Sequence, residues 1–459
     1  MSEGLQHRAV VLRPKTCARH ARLRVAGWLL AALAALPLLP AWAADASSNP
    51  ASELKGGKAD DGVPVDEIRR FVSVYNAVKQ AYVEPVDDRA LMHSAVRGLL
   101  LELDPHSVYL DKDDAQAFDE ATDGAYVGIG VELDITPDGG LQVVAPLDDS
   151  PAQRAGLRTG DRIVAINGKA LPAGDGGDAL RGPEGSEVKI TVRRAGTPKP
   201  IELVVTRAKV QVSSVRERML APGYGYLRIS AFQADTANEF ERAVAALRKQ
   251  SPVPLAGVVL DMRENPGGLL VAAVQIADDL LDRGEIVSTR GRVAASDSSF
   301  KATPGQLLEG VPVVVLVDAG TASAAEVLTA ALQDNARVRV VGSRTFGKGS
   351  VQSVLPLDNG DAVKLTTARY YTPAGQSIQA RGIVPDVVLA GSEHGAQTEA
   401  DLPSHLHGDG ARAAAAPAGD VLEGDAPITA ALAELKRLAA SAATPPAKAQ
   451  ATPPATSRP

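Results

Sequence analysis

The sequence predicts an α+β multidomain chain, on three observations. First, a strand, a turn of small residues and a helix recur: Ala256 to Met262 leads through Arg263-Glu264-Asn265-Pro266-Gly267-Gly268 into a helical period from Leu269 to Leu281. Val313 to Val317 likewise leads through a small-residue turn into a helix whose apolar positions are Ala324, Val327, Leu328, Ala331 and Leu332. Second, from Tyr126 to Arg207 short strands alternate with glycine turns. Third, Val65 to Leu103 follows a helical period. The 459 residues suffice for two or three domains.

At the N-terminus six basic residues (Arg8, Arg13, Lys15, Arg19, Arg22, Arg24) precede an apolar run from Val25 to Leu39. Ala41-Trp42-Ala43 then places small residues at the A-x-A positions, which predicts a secretory signal peptide, residues 1–43, cut after Ala43. The alternative is an uncleaved anchor, but the run is short for a span and Pro37 and Pro40 interrupt it. Cleavage removes Cys17, the one cysteine, so the expected mature chain forms no disulfide. It also removes Trp28, Trp42, the six basic residues and Glu3, taking the formal charge from −7 to −12. An acidic exported chain is a poor candidate for nucleic-acid binding. No other apolar run is long enough to cross a membrane, and a periplasmic location is expected.

Residues 44–64 are rich in Gly, Ser and Asp and read as a linker. Residues 65–112 form a helical segment with Ile68, Phe71, Val72, Tyr75, Val78 and Tyr82 on one helix. Met92, Val96, Leu99, Leu100 and Leu103 mark a second. Residues 113–208 form the β-rich domain. Its Gly128-Ile129-Gly130-Val131 opens a strand to Ile135, Ser150-Pro151-Ala152 starts a short helix, and Gly160 to Gly168 ends a strand in an Asn-Gly turn. In that order these segments resemble a PDZ domain. The resemblance implies that Gly128, Ile129, Gly130 and Val131 bind a terminal carboxylate through backbone N–H groups that glycine allows to come close. A peptide would add as a strand to the sheet edge.

Residues 209–390 form the repeated core, closed by a hairpin from Val351 to Arg369 around Asp358-Asn359-Gly360. Residues 391–459 are dominated by Ala, Pro, Gly and Asp, with one helix expected at 427–440 on the stripe Ile428, Leu432, Leu435 and Leu438. His405 and His407 stand two apart without a further ligand cluster, so a solvated stretch is expected and no metal. The apolar stripes of the terminal helices lack an evident partner nearby in the sequence, which predicts a homo-oligomer.

The chemistry concentrates between Val313 and Gln352. Ser323 arrives at a helix start, Lys348 lies on a glycine-rich loop, and the core holds no histidine. That combination points to a hydrolase whose base is lysine. Taken alone, Ser323 reads as an N-cap. Glu326, three residues on, reads as a capping partner. Gly342 to Lys348 approaches a phosphate-binding loop, but Gly349 stands where the Mg²⁺-binding hydroxyl is needed. Nor does Thr321-Ala322-Ser323-Ala324-Ala325 fit the G-x-S-x-G elbow.

The segments Thr321 to Glu326 and Phe346-Gly347-Lys348-Gly349-Ser350-Val351-Gln352 resemble the S-A-S-A-x-E and F-G-K-G-x-V-Q motifs of the carboxyl-terminal processing peptidases, or tail-specific proteases. The first position is Thr321 where Ser is commoner. Asp104-Pro105-His106-Ser107-Val108-Tyr109-Leu110 is similar to the family's L-D-P-Y-S-x-Y-L, with His106 in place of the tyrosine and read as structural. The resemblance spans roughly Val65 to Asp386 and implies a crotonase-like spiral core. It makes Ser323 the nucleophile, Lys348 the base and Gln352 the residue that orients it. Burial would bring the lysine toward neutrality. The N–H of Ala324 follows the nucleophile and would face the oxyanion, with Gly267 as second donor by resemblance and Gly268 its neighbour.

The expected function is a serine endopeptidase of periplasmic proteins that recognises C-terminal ends and needs no cofactor. The family resemblance also implies an adaptor with sequence repeats as a partner. The alternatives are a silent PDZ scaffold on a dead peptidase core, which intact Ser323, Lys348 and Gln352 oppose, and an acyl-CoA enzyme of crotonase type, which export and the PDZ segment oppose.

Overall fold

The computed structural model describes residues 64–136, 140–171, 177–389, 397–408 and 426–443. The expected signal peptide, nearly all of the linker and the terminal low-complexity tail lie outside them. Among the described residues no helix is long and apolar enough to cross a membrane.

Two helices open the described chain, α1 (Val65–Ala81) and α2 (Asp88–Leu101). No residue of α1 is buried, and only Leu100 of α2 is. Asp87 caps α2 by accepting from the Ala90 N–H. A short strand β1 (Val108–Leu110) and helix α3 (Lys112–Asp123) follow, and Gly124 ends α3 in the left-handed conformation. Strand β2 (Ala125–Gly128) then leads into the small β-domain.

That domain contains β3 (Val131–Ile135), β4 (Leu141–Pro146), α4 (Pro151–Arg154), β5 (Arg162–Ile166), β6 (Lys169–Ala170), β7 (Glu187–Arg193) and β8 (Ile201–Thr206). The sheet order is β3-β4-β5-β7-β8, with β6 beside β5. It has its own core, in which the alternate residues Val188, Ile190 and Val192 of β7 meet Ile129, Leu141 and Ile163. The expected Asn-Gly turn is present, with positive φ at both Asn167 and Gly168. Strand β9 (Ala208–Gln211) returns antiparallel to β2, so entry and exit of the domain are stitched together.

The large core begins with β10 (Val215–Ala221), β11 (Tyr224–Ile229), α5 (Thr236–Gln250), β12 (Gly257–Asp261), α6 (Leu270–Leu280), β13 (Glu285–Gly291) and β14 (Ser298–Lys301). It continues with β15 (Val313–Val317), α7 (Ala324–Asp334), β16 (Val338–Gly342), β17 (Ser350–Pro356), β18 (Ala362–Tyr371) and β19 (Val387–Val388). Its main sheet runs β10-β11-β12-β15-β16-β19, parallel from β11 to β19. Strands β12 and β15 are buried along their whole length, as continuous apolar runs in a two-sided parallel sheet require.

The two faces of that sheet are covered differently. Val258, Leu260, Val313, Val315 and Val317 face α5, α6 and α7. The intervening Val259, Val314 and Leu316 face the last helix, α8 (Ala426–Ala443), through Ile428, Ala431 and Leu435. The helix expected at 427–440 is therefore present, but its stripe has a partner within the chain. That removes α8 as a reason for self-association; the exposed α1 remains one.

A second, antiparallel sheet runs β1-β18-β13-β14, with β17 also paired to β18. Its β1–β18 pairing sets Val108 opposite Lys364 and joins the N-terminal segment to the hairpin that follows Lys348. The expected α+β class, with an α/β core, an inserted β-rich domain and an N-terminal helical segment, is what the chain adopts.

Candidate active site

Strand β15 delivers Ser323 through the turn Asp318 to Ala322. Ser323 is buried and takes φ 54° and ψ −118°, outside the regions an L-residue prefers. The sequence lacks the G-x-S-x-G pattern, yet the backbone makes the same kind of sharp strand-to-helix turn. Neighbours enforce it. The Thr321 hydroxyl donates to the Met262 carbonyl at 2.8 Å, and the Ala322 N–H donates to the Asn265 carbonyl at 2.9 Å. The first N–H of α7, on Ala324, has no intrahelical partner by construction.

The turn after β12 lies directly against this serine. A Cβ on Gly267 would stand 2.8 Å from Ser323 Cβ and 2.9 Å from the Ala324 nitrogen, so only glycine fits. The buried Asp261 braces the turn by accepting from the Arg263 N–H and guanidinium and from the Tyr226 hydroxyl. Burial and that carboxylate push the Tyr226 phenol up to about 12. The Gly267 N–H, expected to await an oxyanion, donates instead to Asn265 Oδ1 at 2.8 Å. The Gly268 N–H makes no hydrogen bond among the described residues.

The lysine loop follows β16. Glu326, fully buried on the first turn of α7, holds it. One carboxylate oxygen accepts from the Gly347 N–H at 2.7 Å and from the Thr345 hydroxyl. The other accepts from the Lys348 N–H at 2.8 Å and the Ser323 N–H at 2.9 Å. The expected capping role is thus real, and the same carboxylate also ties the serine turn to the lysine loop. Burial pushes its pKa up to about 7 against those four donors. The Phe346 N–H adds a further tie, to the Thr321 carbonyl at 3.0 Å.

The Lys348 ammonium is mostly withdrawn from water, and that burial holds its pKa below the ordinary lysine value. The positive charge of Lys364 acts in the same direction, while Glu399, Glu326 and Asp104 oppose it. No hydrogen bond joins Lys348 Nζ to Ser323 Oγ or to Gln352 among the described residues. The expected contact of Gln352 with the lysine is replaced by others: Gln352 Nε2 donates to Ser350 Oγ at 3.0 Å and Thr366 Oγ1 at 3.1 Å. A bulge between Val351 and Gln352 accompanies this orientation. Thr366 Oγ1 in turn donates to Asp104 Oδ1 at 3.0 Å. The Asp104 to Leu110 segment therefore reaches the site. Sequence reasoning missed this, because β1 meets β18 only across more than 250 residues of chain.

In the small domain the Ile129 and Gly130 carbonyls are fixed by the N–H groups of Ala152 and Leu147, at 2.7 and 3.0 Å. Burial raises the Tyr126 phenol's pKa, and the nearby N–H groups of Val131 and Gly130, expected to await a carboxylate, act against that rise. The Tyr126 ring lies so close to Gly128 that a Cβ there would stand 2.7 Å from it. Arg181 lies over that ring, 4.8 Å from its centroid, and pairs with Glu120.

Among the described residues no group of three or more His, Cys, Asp and Glu side chains is disposed to hold a metal ion. His405 bonds the Leu402 carbonyl through Nδ1 and meets the His407 ring edge-on.

Comparison with known proteins agrees in several regions of the chain. Residues 223–389 match peptidase family S41, residues 142–194 a PDZ domain, and residues 34–114 the activating protease CtpB N-terminal domain. A carboxy-terminal-processing protease of Bartonella bacilliformis is 40% identical over 328 residues, covering 70% of this chain and 75% of its own. The carboxy-terminal processing protease CtpA of Bacillus subtilis is 35% identical over 317 residues, covering 68% of this chain and 67% of its own. Among solved structures, the photosystem II D1 C-terminal processing protease is 35% identical, covering 70% of this chain and 93% of its own, with a TM-score of 0.41.

Proposed function

The chain belongs to the carboxy-terminal processing proteases of peptidase family S41, serine peptidases, and we propose that within it Ser323 is the nucleophile and Lys348 the general base. The observation that carries this reading is the shared carboxylate of Glu326, which fastens the Ser323 and Lys348 backbones to one buried point. Ser323 Oγ attacks the scissile carbonyl carbon while neutral Lys348 Nζ takes its proton. The tetrahedral intermediate collapses as Nζ returns that proton to the leaving amine, and water then releases the acyl group by the same route. The Ala324 N–H and a donor from the Gly267-Gly268 turn hold the oxyanion. Gly267 is engaged with Asn265, so the assignment moves to Gly268, with Gly267 providing the clearance beside Ser323. Gln352 supports the lysine side of the site through Thr366 and Asp104.

The small domain binds the C-terminal end of a protein substrate at Gly128 to Val131, and a carboxylate entering there displaces the Tyr126 hydroxyl. Export to the periplasm rests on residues 1–43. Self-association rests on the exposed apolar residues of α1, among them Ile68, Phe71 and Val72.

Casein digestion by purified enzyme tests the dyad. Ser323→Ala and Lys348→Ala should each lose nearly all activity, and the double variant should lose no more than either. Lys348→Arg should also fail, because a guanidinium stays protonated. In the wild type kcat/KM should rise with pH as Lys348 loses its proton. The midpoint should lie below the ordinary lysine value of about 10.4, since burial favours the neutral amine. Near-normal digestion by folded Lys348→Ala would remove lysine from the mechanism.

A further inference from the structure

The stretch that matches the peptidase family ends at residue 389. Residues 397–408, beyond it, nevertheless lie on the lysine loop. The Glu399 N–H donates to the Phe346 carbonyl at 3.0 Å. The Glu399 carboxylate has no exposure to solvent, and both its oxygens are engaged. One accepts from Gln379 Nε2 at 2.8 Å; the other lies 2.8 Å from His106 Nε2. Gln379 is itself buried, and its amide oxygen accepts from the Gly349 N–H at 3.0 Å. Its nitrogen also donates to the Leu406 carbonyl at 3.0 Å.

Four consecutive residues of the loop are thereby held by Glu326 and Glu399, Phe346 through the Glu399 backbone and the other three through carboxylates. Glu326 takes the N–H groups of Gly347 and Lys348. Glu399 takes the positions on either side, Phe346 through its own N–H and Gly349 through Gln379. A carboxylate without solvent exposure depends on such partners, and losing one leaves a buried charge uncompensated.

We propose that Glu399 is a positioning residue for Lys348, and that residues 397–408 are a strap completing the active site from outside the peptidase homology region. His106 anchors the strap to the N-terminal segment. The Asp104 to Ser107 turn thereby braces both Glu399 and, through Thr366, Gln352. This gives a role to the histidine that stands in place of the tyrosine in the similar family motif. The proposal rests on Lys348 being the base.

The test is steady-state hydrolysis of a fluorogenic peptide by the full enzyme as a function of pH. Glu399→Gln retains size but puts an amide nitrogen where a carboxylate oxygen now faces Gln379 Nε2 or His106 Nε2. It should lower kcat by about 10- to 100-fold, the cost of a misplaced catalytic group, with KM changed less than about twofold. The charges facing Lys348 are Lys364, Glu326, Asp104 and Glu399, and Glu399 is one of those that favour the protonated amine. Its removal should move the alkaline rise of kcat/KM to lower pH. Lys249→Ala, exposed on the last turn of α5 and outside the strap, should behave as wild type. Should Glu399→Gln fail to fold, His106→Phe carries the same expectation for kcat. Wild-type kcat in either folded variant overturns the proposal. So does a loss that is uniform across pH and matched by an unfolded fraction, since that marks a merely structural contact. Activity in folded Lys348→Ala would instead overturn the assignment of the base, whatever Glu399 does.

Discussion

Ser323 holds its strained conformation because its surroundings leave no other. Its N–H is bound by Glu326, its carbonyl by the Val327 N–H, and the preceding Ala322 by Asn265. Positive φ of this kind costs a non-glycine residue on the order of 1–3 kcal/mol and persists where neighbouring contacts over-determine it. The strain is measurable with two variants that both lack Oγ. Ser323→Gly and Ser323→Ala should be equally inactive, but the glycine variant should be more stable in urea by about 1 kcal/mol, after allowing for the greater freedom of glycine in the unfolded chain. A lower midpoint for Ser323→Gly would mean that no strain is stored at Ser323. The site residues legible in the sequence were those whose chemistry fixes their type: the serine at a helix start, the lysine in a glycine loop, and Gly267 beside them. Glu326 was half legible. Its spacing from Ser323 announced a cap, but nothing local announced the donors from Thr345, Gly347 and Lys348. Glu399 was illegible, because it lies in a stretch whose composition reads as solvated.

At the scale of elements, period and length read well wherever an element has one buried face. The strand Val313–Val317 falls where its apolar run ends, and α8 at Ala426–Ala443 extends the expected helix by one residue before and three after. What period cannot supply is the partner. The stripe of α8 looked unpartnered because the strands it chiefly covers, β12 and β15, lie more than a hundred residues earlier in the chain. The alternation of Val313, Val314 and Val315 between α-helical neighbours and α8 was hidden inside a wholly apolar run. Leu435 reports on that packing. It is fully buried, and Gly257 makes room for it, a Cβ there standing only 2.6 Å from Leu435 Cγ. Leu435→Ala should therefore destabilise the enzyme by about 2–5 kcal/mol in denaturant unfolding, the usual range for a buried leucine truncated in a packed core. A change below about 0.5 kcal/mol, the range of surface substitutions, would mean that α8 is not seated on the sheet in solution.

Over the whole molecule, the proposed chemistry and the proposed recognition belong to separate cores. The protease sheet and its helices position Ser323 and Lys348, while the small β-domain, with its own apolar interior, positions Gly128 to Val131. The proposed recognition of a C-terminus requires that the loop be free to receive a carboxylate, and the Tyr126 hydroxyl lies where the Gly130 and Val131 N–H groups act on it. A carboxylate is the stronger acceptor, because hydrogen bonds to an ionised group exceed those to a neutral hydroxyl. An internal peptide or an amidated end offers no such group. At substrate concentrations well below KM, a protein with a free C-terminal carboxylate should therefore be cut faster than its amidated counterpart. Tyr126→Phe removes the competing hydroxyl while keeping the ring that packs against Gly128 and under Arg181. With a hydrogen bond contributing about 1 kcal/mol net, that variant should cut the free-acid substrate about fivefold faster and leave the amidated one unchanged. Equal cleavage of both substrates by the wild type would take carboxylate recognition away from the small domain. An unchanged free-acid rate in Tyr126→Phe would show that the hydroxyl does not compete for the loop.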